Sequence, residues 1–429
     1  MRGALPFLGL ALPFGRDAMG LLERERERHG DVFTLFIGGQ RMTFIADPMS
    51  VPAVLKAKRL RFAPIADEVA DKAFGIPKIR ELAAMEALER TAKDYLKGRY
   101  LGSMTVRMET ELRALLPSFV KGRERLELYR FIWDLMFAAG ARAVFGTGKD
   151  TPAIAEAFET FDREFPLMVA GAPSFMVKRG EAALVELSRE LSSFADDASG
   201  WLNEREALLG DQDPLDRGRL QTTILWAAQA NTIPACYWSL AYLLRHPEAR
   251  AAVLRELEGV DTRDLEPDKL GELRMLDSAI REALRLSTGS LTIRRVMEDF
   301  VLETPVGDHA LREGDRVCLA PFLFHHDPAI FPEPHRYIHD RFYVAEGVKQ
   351  FFKQGKRVPI PLMPFGAGVS ICPGRFFALN EIKLFVALIL TQLDLELVDP
   401  EAELPGFDHS RVGLGIYPPA TGLDVKLRA

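Results

Sequence analysis

The chain has 429 residues, 48% hydrophobic and 27% charged, with a formal net charge of −6, enough apolar material for a sizeable core and no excess of basic charge to hold a nucleic acid. Its three cysteines, Cys236, Cys318 and Cys372, are too few and too scattered for a disulfide framework or a zinc site. A reducing, cytoplasmic setting is the simpler expectation.

From the amino end, Ala4 to Phe14 is apolar but short and broken by Pro6 and Pro13, so it neither spans a bilayer nor makes a signal peptide. Arg16 to Arg28 reads as an amphipathic helix closed by His29-Gly30, and Val32 to Phe36 with Arg41 to Ile45 as a hairpin about Gly38-Gly39. Helical patterns fill Lys78 to Leu286, broken at Gly102, Gly146, Gly171-Ala172-Pro173 and Asp211-Gln212-Asp213-Pro214. Ile224 to Leu244 is a run of 21 residues, long enough to cross a membrane. Gln229, Asn231, Thr232 and Pro234 at its centre would be costly in lipid, so it reads as a buried helix and no integral membrane segment is expected. Strands return after Leu291. No repeat, low-complexity tract or linker marks a boundary, so residues 1–429 are expected to form a single domain, mainly α with small β-sheets (α+β).

Three stretches carry chemistry. In Ala228-Gln229-Ala230-Asn231-Thr232-Ile233-Pro234 the proline lacks an N–H and clashes with the Ala230 carbonyl, so a kink and a polar notch are expected, with Thr232 bonding back to the Ala228 carbonyl. Glu282 and Arg285, three apart on a helical run, share a face and can bond in bidentate fashion. Near the carboxyl end, Phe365-Gly366-Ala367-Gly368-Val369-Ser370-Ile371-Cys372-Pro373-Gly374 sets a lone cysteine before an apolar helix. Orphan N–H groups and the helix dipole would lower its pKa and make it a ligand for a soft metal. The glycines at 366, 368 and 374 would let the backbone turn and approach a flat macrocycle against which Phe365 packs. Taken singly, each pattern has an ordinary explanation: a proline kink, a solvated ion pair, an inert buried thiol.

Together they do not. Phe-x-x-Gly-x-x-x-Cys-x-Gly, followed by Ala378 and a helix, resembles the haem-thiolate loop of the cytochrome P450 superfamily. The resemblance implies a single-domain fold with a long central helix over haem b, Cys372 as the iron ligand, and Phe365, Gly366, Gly368 and Gly374 as cofactor-binding residues. It implies that Ala230, Asn231 and Thr232 form the oxygen-activating groove. The segment Asp327-Pro328-Ala329-Ile330-Phe331-Pro332-Glu333-Pro334, with His339-Asp340-Arg341-Phe342 after it, resembles the family's proline-rich region, so Arg341 is expected to complete a buried cluster with Glu282 and Arg285.

The sequence departs from the general pattern in informative places. Asn231 stands where most members carry an acid, so proton delivery would run through Thr232 and water. Ser370 replaces the usual basic residue before the cysteine, leaving Arg294 as the expected partner of a haem propionate. No Trp-x-x-x-Arg occurs between Leu82 and Tyr100. Gln-Ala-Asn-Thr-Ile-Pro-Ala from 229 to 235, Trp238, Ile293-Arg294 and Ser-Ile-Cys-Pro-Gly-Arg from 370 to 375 are similar to the sterol 7α- and 12α-hydroxylases and prostacyclin synthase, without a membrane anchor.

What this implies is a haem-thiolate monooxygenase that hydroxylates a bulky apolar substrate, a steroid, sterol or other lipid, with dioxygen and electrons from a ferredoxin or flavodoxin-type donor. Lys349, Lys353, Lys356, Arg357 and Arg375 would form the basic docking patch. Pocket walls by analogy are Phe74 to Ile79, Phe165 to Phe175, Trp226 to Thr232, Ser290 to Thr292 and Gly413 to Ile416, with Trp226, Leu291, Thr292 and Leu414 as candidate contacts. Two other readings stand beside it: a haem-thiolate isomerase or dehydratase of a lipid peroxide, motivated by Asn231, and a non-catalytic lipid or haem carrier.

Overall fold

The computed structural model describes residues 9–76, 82–210, 212–260, 265 and 267–428. The opening Ala4–Leu8, the Pro77–Ile79 part of the expected pocket wall, and Asp211 lie outside them. Helix α1 (Ala18–His29) starts two residues later than expected because the Asp17 carboxylate accepts the Gly20 N–H at 2.8 Å and so acts as its cap. It ends at Gly30, whose φ of +85° is a left-handed conformation suited to glycine. Strands β1 (Val32–Ile37) and β2 (Gln40–Ile45) form the expected hairpin, and Gly38 and Gly39 both have positive φ, as a two-residue turn matching strand twist requires.

The early hairpin is not a sheet by itself. A strand at Leu60–Arg61 (β3) precedes helix α2 (Ala63–Phe74), and two late strands, Thr292–Val296 (β4) and Arg316–Leu319 (β5), complete the sheet in the order β1-β2-β5-β4-β3. The β2–β5 pair is parallel, Ile45 opposite Leu319, and the other pairs are antiparallel. Phe44, Val317 and Cys318 fill its interior. This pairing joins the early hairpin to strands of the later part of the chain and presents β4 to the site.

The helical body follows the middle of the chain: α3 (Leu101–Val120), α4 (Leu128–Phe145), α5 (Pro152–Val169), α6 (Ser174–Glu190), α7 (Pro214–Gln229), α8 (Thr232–Arg245) and α9 (Arg274–Ser287), with α10 (Arg375–Gln392) after the cysteine loop. Helices α4, α8 and α10 are apolar nearly all round and lie in the core. In α5, Phe158, Phe161, Phe165 and Met168 make one buried stripe at helical spacing. At the centre of the core, the buried Trp238 places its indole N–H 2.6 Å from the Tyr417 carbonyl, which satisfies its only donor. Among the described residues no helix is long and apolar enough to cross a membrane.

The expected single helix over Ile224 to Leu244 is instead two. Helix α7 stops at Gln229 and α8 begins at Thr232, with Ala230 and Asn231 between them. Pro234 therefore sits in the first turn of α8, where a missing N–H costs nothing, and the break falls at the carbonyl with which its ring would have clashed.

Candidate active site

The cysteine loop runs into the start of α10. Gly366 and Gly368 have φ of +71° and +72°, and a Cβ at 368 would lie 3.1 Å from Leu55, so both conformation and space favour glycine. Gly374 differs from expectation: its φ of −82° is ordinary, and a Cβ there would make only ordinary contacts, 3.5 Å from Leu96 and 3.9 Å from Cys372 Sγ, so neither conformation nor space demands glycine. Cys372 donates its N–H to the Phe365 carbonyl at 3.0 Å, closing the loop. Its sulfur accepts from the N–H groups of Gly374 and Arg375 at the helix start.

The expected depression of the thiol pKa is not what the polypeptide alone produces. Burial pushes it up, and the two N–H groups and the Arg375 charge only partly oppose that. Desolvation outweighs the helix start because the loop packs closely around the sulfur. A thiolate here needs its charge shared with a metal. Cys236 and Cys318 are less suited: both are fully buried in apolar surroundings, and burial pushes the Cys318 thiol up to about 12. Cys372 alone of the three is partly exposed.

Beside the loop, Arg294 of β4 is 2% exposed. Its Nη2 donates to Ser370 Oγ at 3.0 Å, its Nε has no partner, and among the described residues no carboxylate pairs with it. Burial alone lowers its pKa. An unpaired buried guanidinium is costly, and a carboxylate from a bound cofactor would satisfy it. Ser370, read as a lost basic contact, is thus the group that orients Arg294. The thiol held by two N–H groups, the glycine-lined approach and this unpaired cation fit a haem.

A cavity of about 250 Å³ lies between the cysteine loop and α8. Cys372, Phe365, Gly366 and Ser370 form one wall; Asn231, Thr232 and Ala235 face it, and Ser290–Ile293 and Gly413–Ile416 close the sides. The structure thus brings Leu291, Thr292 and Leu414 to the cavity, but not Ala230, which is buried at the end of α7, nor Trp226. Trp226 stacks on Phe165 with centroids 4.1 Å apart and donates its indole N–H to Asp162 Oδ1 at 2.9 Å. Its polar edge turns it toward α5 and away from the cavity.

The Thr232 hydroxyl makes no hydrogen bond among the described residues. The expected bond to the Ala228 carbonyl does not form because Thr232 is the first residue of α8 and that carbonyl lies beyond the break. The Asn231 amide, by contrast, is engaged at both ends: Nδ2 donates to the Leu414 carbonyl at 3.3 Å and Oδ1 accepts the Ile416 N–H at 2.9 Å.

Glu282, Arg285 and Arg341 meet beneath the site. Arg285 Nε and Nη2 lie 2.8 and 2.9 Å from the two Glu282 oxygens, and Arg341 Nε is 2.9 Å from Oε1. The Ile338 N–H adds a fourth bond to that carboxylate at 3.2 Å. The remaining guanidinium donors hold carbonyls of the proline-rich segment: Arg285 those of His325 and Pro334, Arg341 those of Pro332, Glu333 and Arg336. The basic patch is smaller than expected. Lys353 turns inward to Asp327 at 3.0 Å and Arg375 folds over Phe376, which leaves Lys349, Lys356 and Arg357 exposed.

Sequence reasoning missed Phe62, which lines the cavity from between β3 and α2, and the buried Arg411, whose Nη1 bonds Asp162 at 2.5 Å. No local pattern reports either, since Arg411 and Asp162 are 249 positions apart.

The Cytochrome P450 family model matches residues 218–423. The Chinese hamster (Cricetulus griseus) cholesterol 7-alpha-monooxygenase is 34% identical over 99% of this chain and 92% of its own length. The human 7-alpha-hydroxycholest-4-en-3-one 12-alpha-hydroxylase is 36% identical over 100% of this chain and 91% of its own. The structure of retinoic acid-bound cyanobacterial CYP120A1 superposes with a TM-score of 0.79 at 19% identity, covering 99% of this chain and 98% of that one, a likeness of fold.

Proposed function

Because the chain belongs to the cytochrome P450 family, and is thereby an oxidoreductase, we propose that it hydroxylates a sterol or closely related bulky lipid with dioxygen and electrons from a ferredoxin or flavodoxin-type donor. The observation that carries this is the placing of an unbonded alcohol, Thr232, on the wall of a largely apolar cavity opposite the only partly exposed cysteine. Haem b is the expected group, held by Cys372 at the iron and by Arg294 at a propionate; when bound it supplies activation of dioxygen. Phe365 and Gly366 line the cavity on the cysteine side, and with the turn at Gly368 they would shape the face offered to it. The Thr232 hydroxyl, without an acceptor among the described residues, can hand on a proton. Leu291 and Leu414 exclude water and hold an apolar substrate. Three unpaired cysteines suit a cytoplasmic location.

The two sterol-hydroxylating relatives support the substrate class. The peroxide-isomerase reading drew its motive from Asn231, and the amide's engagement with Leu414 and Ile416 supplies a structural reason for that residue. The deciding experiment supplies cholesterol and 7α-hydroxycholest-4-en-3-one with ferredoxin, its reductase and NADPH, then repeats with lipid hydroperoxides and endoperoxides alone. Hydroxylated sterol is expected in the first arm. Turnover confined to the second overturns the proposal.

A further inference from the structure

We infer that Asn231 is a positioning residue, which pins the Gly413–Ile416 segment against the break between α7 and α8 and so sets the room open to substrate; it acts through that segment and not as a proton donor. The inference rests on the proposed lipid hydroxylation only for its choice of sterol probe.

The amide grips the segment at two points, Nδ2 on the Leu414 carbonyl at 3.3 Å and Oδ1 under the Ile416 N–H at 2.9 Å. Between those points Gly415 has a φ of +138°, and a Cβ there would stand 2.0 Å from Asn231 Oδ1. The glycine is needed because the amide lies directly against the backbone. Leu414, Ile416 and Asn231 itself all line the cavity, so a shift of the segment is a change in cavity shape.

Apart from the Leu414 N–H, which donates to the Arg411 carbonyl at 3.1 Å, the segment's other backbone bonds run to the 287–291 stretch. Gly289 N–H donates to the Gly415 carbonyl at 2.7 Å, Gly413 N–H to the Gly289 carbonyl at 2.8 Å, and Tyr417 N–H to the Ser287 carbonyl at 3.0 Å. Asn231 is its side-chain tie to the helix break. Only an amide serves there, because one end must donate and the other accept. An aspartate would still accept from Ile416 but would set a second acceptor against the Leu414 carbonyl. An amide does not ionise in the physiological pH range, so its part is to hold the segment and not to relay a proton.

The test compares haem-loaded parent, Asn231→Asp and Asn231→Ala by absorption titration with imidazole, with a triphenylmethyl imidazole, and with 7α-hydroxycholest-4-en-3-one. Imidazole is too small to reach the segment; the bulky azole and the sterol are not. Both variants are expected to bind imidazole within about two-fold of the parent and the two bulky probes about ten-fold more weakly, the loss of one or two hydrogen bonds. Hydroxylation is expected to spread to additional carbons. Should Asn231→Ala not fold, the isosteric Asn231→Asp carries the test. Unchanged affinity for the bulky azole overturns the inference, and so does an equal weakening of imidazole, which would mean general damage to the pocket. A parent that binds no sterol sinks the lipid reading, and the comparison of the two azoles still decides the role of Asn231.

Discussion

Glu282→Gln keeps the shape of the fully buried carboxylate and removes its charge. In the parent, Glu282 accepts from Arg285 twice, from Arg341 and from the Ile338 N–H. The glutamine turns an NH2 toward guanidinium N–H groups and leaves two buried cations sharing one neutral oxygen. Breaking a buried pair in this way costs about 3–5 kcal/mol, because the surviving charge is left without its counter-ion. At roughly 2.1 cal/mol/K of unfolding entropy per residue, the 429 residues give about 0.9 kcal/mol/K, so a loss of ~4 kcal/mol lowers the melting midpoint by about 4 °C. Circular dichroism melts of parent and variant at one scan rate measure it. A Glu282→Gln midpoint equal to that of the parent would refute the reasoning that charge balance holds this cluster.

Cys372→Ser should abolish the red-shifted Soret band of the reduced carbon monoxide adduct, whereas Cys318→Ala, buried in the sheet, should retain it; a band surviving Cys372→Ser places the ligand elsewhere. Arg294→Leu removes a buried cation that pairs with no carboxylate among the described residues, so haem-free protein should melt no lower than the parent while haem transfers to apomyoglobin about ten-fold faster, the worth of a charged hydrogen bond. An unchanged transfer rate would dismiss Arg294 as a propionate partner. Burial, followed by the Arg285 charge, depresses the His326 pKa from its ordinary 6.5 to about 4, and burial acts on His325 in the same direction. Unfolding lets both take up protons, so the His326 contribution to stability is complete above pH 6.5 and falls as pH drops toward 4, at up to about 1.4 kcal/mol per pH unit, and His325 acts in the same direction. Urea unfolding at pH 7 and pH 5 should show His326→Gln losing less stability on acidification than the parent; an equal loss in both removes His326 from the acid response.

The sequence alone determined the chemistry that is local in the chain. A cysteine followed two residues later by Gly374 and then an apolar helix must meet helix-start N–H groups, because the geometry lies within one turn. Glu282 and Arg285 share a face by helical spacing, and Pro234 had to interrupt its helix somewhere in the preceding turn. Tertiary structure decided whatever depends on partners far away in sequence. It joined the early hairpin to β4 and β5, left Arg294 buried without a counter-ion among the described residues, turned Trp226 to Asp162, and bound Asn231 to a loop 183 to 185 positions away. It also reversed the expected acidity of Cys372, because desolvation depends on everything packed around the sulfur, whereas the helix start is visible in three consecutive residues. Short-range geometry follows from bond angles and hydrogen-bond spacing. Burial and long-range pairing exist only once the core has closed.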